Sequence, residues 1–158
     1  MEINVQKMSF DGQVLKRGFW LYVWKIIYDG KEYYYVGRTG DSSSSNAASP
    51  FNRIGQHLDF RENAKGNSLA KRLIEVGVDP KKCLFEMLAL GPIYKEQESF
   101  DLHKTYRDKM ATMEFEISNH LKNNGLTVLG IHHRSNLSAP DIIQTLINKV
   151  DKFIQCDS

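Results

Sequence analysis

The amino-acid sequence predicts an α+β domain: a small three-stranded antiparallel sheet flanked by helices. Three observations predict it. An aromatic and β-branched run from Phe19 to Ile27 is followed by Asp29-Gly30, a two-residue hairpin signal. A second apolar run, Cys83 to Leu90, lies between Asp79-Pro80 and Gly91-Pro92 and reads as a buried strand. Elsewhere apolar residues recur at helical spacing, most extensively from Lys95 to about Lys122. Hairpin, helices, strand and long helix, in that order, describe a small mixed domain.

Taken in order, residues 1–18 carry little pattern and read as a short strand or arm. Phe19–Ile27 and Glu32–Arg38 are the two arms of the hairpin. Gly40 to Pro50, with serines at 42–45, is a polar loop. A short helix is expected from Phe51 to about Phe60. A second spans Asn67 to Val76, with Leu69, Leu73 and Ile74 as its apolar stripe and Gly77 ending it. Gly91-Pro92 stops the third strand. The long helix carries His103, Tyr106, Met110, Met113, Ile117 and Leu121 on one side, and Asn123-Asn124-Gly125 stops it. Ser138 to Asp141 opens a last helix, apolar at 142, 143, 146, 147, 150 and 153. That stripe is broad for a free helix, so it should pack on the domain or on a second copy, with packing on the domain favoured.

Length and composition set bounds. The 158 residues fit one domain, and 41% hydrophobic with 25% charged residues is enough for a core. The net charge of +2, from 21 basic and 19 acidic residues, neither demands nor excludes a polyanionic partner. Cys83 and Cys156 fit no zinc spacing and read as reduced thiols. No apolar stretch approaches the roughly 18 residues of a membrane span. The first residues lack the basic-then-apolar order of a signal peptide. The expectation is a cytoplasmic protein without a membrane partner.

The hairpin turn fixes a register. Position 28 faces 31, so Trp24 lies opposite Tyr35 and Tyr22 opposite Gly37. Side chains alternate along a strand, so Tyr22, Trp24, Tyr35 and Gly37 share one face. Tyr22 and Tyr35 become diagonal neighbours, roughly 7–8 Å apart, and can serve one site. Strand tyrosines otherwise serve as packing residues.

Trp20-Leu21-Tyr22 and Tyr35-Val36-Gly37, joined by a tight hairpin, resemble the two half-motifs of the GIY-YIG nucleases. Arg38-Thr39-Gly40 continues the second half. Downstream, Arg53-Ile54-Gly55-Gln56-His57 places an arginine and a histidine one helical turn apart, on one face. The family has that spacing on its first helix and a metal-binding glutamate on a later one. Glu114 and Glu116 are the candidates. Glu114 falls about 40° from the stripe of Met110, Ile117 and Leu121, whereas Glu116 falls on the solvent side, so Glu114 is chosen. Trp20 stands where glycine is usual. The resemblance covers about residues 19–125 and leaves both ends, including a helical extension at about 138–155, outside it.

The resemblance implies a metal-dependent endonuclease that hydrolyses DNA phosphodiester bonds, with Tyr22, Tyr35, Arg53, His57 and Glu114 as catalytic residues. Glu114 would hold Mg²⁺ (or Mn²⁺), with water completing the shell. Arg53 would grip phosphate oxygens with its planar fork. Tyr22 would be the general base, its phenolate favoured by Arg53 and the metal. His57 and Tyr35 would position water or assist proton movement; His57 is alternatively a phosphate donor. Arg38, Lys71 and Arg72 are expected DNA or phosphate contacts. His132-His133 lacks ligand spacing for zinc, and His103 and His120 read as packing or surface residues. The expected partner is double-stranded DNA, and a palindromic duplex cut on both strands implies a homodimer by symmetry. A stand-alone restriction-type or phage-borne nuclease is the favoured setting. The rival expectation is a non-catalytic module that keeps the fold to bind nucleic acid or protein.

Overall fold

Asp29 and Gly30 both adopt left-handed backbone, with φ of 50° and 70°. Two successive positive φ values make a turn whose twist matches that of the strands it joins. The turn joins β1 (Phe19–Tyr28) to β2 (Lys31–Arg38) in the expected register: Tyr22 faces Gly37, Trp24 faces Tyr35 and Tyr28 faces Lys31. A third antiparallel strand, β3 (Leu84–Tyr94), pairs with the other side of β1, giving the order β2-β1-β3. The structure, a computed structural model, describes residue 1 and residues 3–156. Its helices are α1 (Pro50–His57), α2 (Ser68–Glu75), α3 (Phe100–Asn123) and α4 (Ile143–Gln155). The chain is therefore α+β, as the sequence predicts.

β1 is central and covered on both faces, which explains its nearly unbroken run of large residues. One face, carrying Phe19, Leu21, Val23 and Val36, packs against Met110, Met113, Ile117 and Leu121 of α3 and Leu146 and Val150 of α4. The other, carrying Tyr22, Trp24 and Ile26, packs against Leu69 and Leu73 of α2, with Val78 and Leu129. The two faces thus divide the hairpin's side chains by parity. The last helix does pack on its own domain, and His120 and Asp151 join α3 to α4 at 2.7 Å.

Several sequence-based boundaries move. β3 does not stop at Gly91-Pro92 but runs through them to Tyr94, and it is half-buried rather than buried. The reason is its place at the sheet edge, where a proline's missing N–H costs no ladder bond, helped by a register shift opposite Phe19 and Leu21. Helix α3 begins at Phe100, not Lys95, because Ser99 caps it by accepting a bond from the Leu102 N–H. Ile74 is exposed and drops out of the α2 stripe, which consists of Leu69, Ala70 and Leu73. Residues 1–18 hold one 3₁₀ turn, Gly12–Leu15, and no strand among the described residues. No helix among the described residues is long and apolar enough to cross a membrane.

Candidate active site

Tyr22 sits on β1 with its ring laid over Gly37 of β2; a Cβ at 37 would collide with that ring. The glycine therefore decides where the tyrosine hydroxyl goes. That hydroxyl reaches the His57 Nε2 at 2.6 Å and the Arg38 carbonyl oxygen at 3.1 Å. His57 comes from α1, whose start is fixed by Pro50 and by the Ser49 hydroxyl accepting from the Asn52 N–H. The edge of the Tyr35 ring also meets the His57 ring, with centroids 5.4 Å apart. Arg53, one turn before His57, pulls on the ionisation of both Tyr22 and Tyr35. Its Nη2 donates to Asp41 Oδ2 at 3.1 Å and its Nη1 donates to Gln56.

Glu114 arrives from the opposite side. Helix α3 lies against β1 and β2, and Arg38, the last residue of edge strand β2, donates from Nη1 to Glu114 Oε2. The segment after α3 then doubles back along the free edge of β2. Tyr34 N–H donates to the Thr127 carbonyl at 2.8 Å and Leu129 N–H to the Tyr34 carbonyl at 2.7 Å. His132 Nε2 donates to the Val36 carbonyl at 2.8 Å, which leaves its Nδ1 to accept from Ser118 at 2.9 Å. This strap closes a cleft of about 260 Å³ whose walls include Tyr35, Arg38, Arg72, Glu114, His132 and His133.

The surroundings set the protonation states. Burial pushes the Tyr22 hydroxyl far above its ordinary value, and the opposing pull of Arg53 is smaller. Arg53 acts in the direction expected of it, yet burial dominates and Tyr22 is a neutral phenol at neutral pH. Burial and then the Glu114 charge push Tyr35 up to about 12. Burial and then Arg53 push His57 down to about 3, so the imidazole is neutral, and its Nε2 and the Arg38 carbonyl compete for the single Tyr22 hydroxyl proton. The His57 Nδ1 is buried without a hydrogen-bond partner. Burial raises the Glu114 carboxyl to about 7 against the downward pull of Arg38.

Six of the residues singled out from sequence, Tyr22, Tyr35, Arg38, Arg53, His57 and Glu114, come together here. Arg72 lines the cleft; its neighbour Lys71 is exposed and outside it, because successive helical residues point about 100° apart. Asp41, His132 and His133 were not anticipated. Asp41 carries a signal only in hindsight, as the lone carboxylate at the root of the serine loop. His132 and His133 carry none, because the strap's bonds to β2 place them. Trp20 has a structural reason: its indole packs over Gly91 where a side chain would collide, and its Nε1 donates to the Lys16 carbonyl at 3.0 Å. It floors β3 rather than the cleft.

Among the described residues no group of three or more His, Cys, Asp or Glu is poised to hold a metal. Glu114 Oε1, however, accepts no hydrogen bond among them, and a magnesium ion commonly takes one or two carboxylates and fills the rest of its shell with water. Comparison with family models, curated proteins and solved structures finds no match to this chain.

Proposed function

We propose that the chain is a metal-dependent endonuclease of the GIY-YIG type that hydrolyses DNA phosphodiester bonds. The observation that carries this reading is the 2.6 Å Tyr22–His57 bond, set beside Arg53 and joined through the Tyr35 ring to the cleft that Arg38 and Glu114 line. Packing alone does not require a buried phenol, a neutral imidazole, two arginines and a carboxylate to come together in one place.

Glu114 would hold Mg²⁺ or Mn²⁺, which when bound supplies Lewis-acid stabilisation of the phosphate and the leaving oxygen. Arg53 and Arg38 bind the non-bridging phosphate oxygens, which requires each to leave its carboxylate partner, Asp41 or Glu114. The attacking water gives a proton to the Tyr22 oxygen as the Tyr22 proton passes to His57 Nε2. Arg53 opposes that transfer while its charge is free to repel an imidazolium. Phosphate seated on Arg53 cancels the repulsion, so substrate binding itself raises the basicity of His57. Tyr35, edge-on to His57, orients the water. The substrate is double-stranded DNA, and two copies acting on a palindrome give cuts in both strands.

A non-catalytic nucleic-acid-binding module is the second reading, and the Arg38–Glu114 ion pair favours it, because it occupies the carboxylate the metal needs. Supercoiled plasmid incubated with Mg²⁺ or with EDTA separates the two. Metal-dependent nicking by the wild type, falling at least about 100-fold in Glu114→Ala and in Tyr22→Phe, is expected of the nuclease. Binding to DNA without nicking in Mg²⁺ would sink it, and nicking that survives Glu114→Ala would place the chemistry elsewhere.

A further inference from the structure

The strap along β2 divides its side chains between two jobs. His132 turns inward and is fully used, bonded to Ser118 and to the Val36 carbonyl. Its neighbours turn the other way. Ile131 is 73% exposed, His133 is exposed, and both line the cleft. An isoleucine that open to water gains nothing from burial in the free protein. Its position is nonetheless fixed, because the strap is pinned to β2 on both sides of it, at Leu129 and at His132. Across the cleft stand Ser68 and Arg72 of α2. The cleft is thus charged at its floor, where Arg38 and Glu114 meet, and carries an aliphatic and an imidazole side chain at one lip. A nucleotide has the same polarity: an anionic phosphate at one end, and sugar and base faces that pack on flat or apolar side chains at the other. The volume, about 260 Å³, suits one sugar–phosphate unit of a strand and is too small for a duplex cross-section.

We propose that Ile131 and His133 form a substrate-recognition wall that seats the nucleotide next to the phosphodiester to be cut, with Arg72 on the flanking phosphate. The inference rests on the nuclease reading and names the part of the strand that the site holds. It assigns the residues after α3, beyond the reach of the motif-bearing segment, to substrate contact. Because the strap is fixed through His132 and Ser118, Ile131 and His133 are free to change without disturbing the cores.

The test uses the full-length protein and the variants Ile131→Ala, His133→Ala and the double. A fluorescein-labelled oligonucleotide, single-stranded and as a duplex, is titrated in EDTA, and plasmid nicking is followed with Mg²⁺. The double variant is expected to bind about tenfold more weakly, as loss of roughly one stacking or apolar contact implies, and to raise KM by a similar factor with kcat nearly unchanged. Thermal unfolding should match the wild type, since both side chains are exposed. Wild-type affinity and KM in the double variant would overturn the wall. If the wild type nicks nothing with Mg²⁺, the nuclease reading falls, while the EDTA titration still decides the wall: weakened binding in the double variant upholds it, and unchanged or absent binding ends it.

Discussion

At the scale of single residues, the site depends on what is missing as much as on what is present. Gly37 has no side chain, and the Tyr22 ring occupies the space a Cβ would take. Gly37→Ala should therefore push the phenol off His57 and overpack a closed region, destabilising the fold by about 1–3 kcal/mol and abolishing nicking. Denaturant unfolding checks the first effect and the plasmid assay the second; unchanged stability with full nicking would show that the ring position is not critical. Asp41 is the opposite case, a side chain whose removal should help. It stands 40% exposed beside Arg53 and occupies the guanidinium face that a phosphate needs. A partly exposed ion pair is worth about 0.2–1 kcal/mol, so Asp41→Asn should lower KM for DNA by about two- to fivefold. A raised KM would mean that Asp41 positions Arg53 rather than competes for it. The facing of Tyr22 and Gly37 was legible in the sequence because a two-residue turn fixes register. The role of Asp41 was not, since loop residues carry no period that says where they return.

At the scale of elements, what could be read depended on whether burial imposed a pattern. Helix α4 announces itself by apolar spacing, and Leu146 and Val150 indeed close the core beneath α3. Leu146→Ala should cost about 2–5 kcal/mol, measured by chemical denaturation, and a loss under about 1 kcal/mol would show that α4 is dispensable. The start of α3 was misread because Lys95 to Gln97 are good helix formers, and the decisive residue is the small cap at Ser99. The end of β3 was misread because Gly91-Pro92 breaks a central strand but not an edge strand. The strap was illegible altogether. It is built from backbone bonds to β2, and backbone atoms are the same in every sequence.

At the scale of the whole molecule, the site exists because the sheet is narrow. Tyr22 and Tyr35 belong to the face packed by α2, while α3, which bears Glu114, covers the other. The two meet only because β2 is an edge strand that α3 can reach at Arg38. Periodicity alone put Glu114 beside the core stripe but could not say which strand it would face; the family resemblance implied only that a glutamate of this helix belongs to the site. Burying an imidazole between these layers also has a thermodynamic signature. His57 titrates near 3 in the folded chain and near 6.5 in an unfolded one. Above pH 6.5 neither state binds the proton, and the stability that goes with a neutral His57 is fully present. As pH falls below 6.5 the unfolded state gains a proton that the folded state refuses, and that stability drains away until about pH 3. The slope is roughly 1.4 kcal/mol per pH unit, in total about 5 kcal/mol. Glu114 and every other titrating group contribute equally to a His57→Gln variant, so they cancel in the difference. The wild type should therefore lose stability relative to His57→Gln steadily as pH drops from 6.5, measured by urea unfolding in EDTA at several pH values. A difference that stays flat across that window would mean that His57 titrates in the fold as it does in the unfolded chain, so that burial and Arg53 do not hold it neutral.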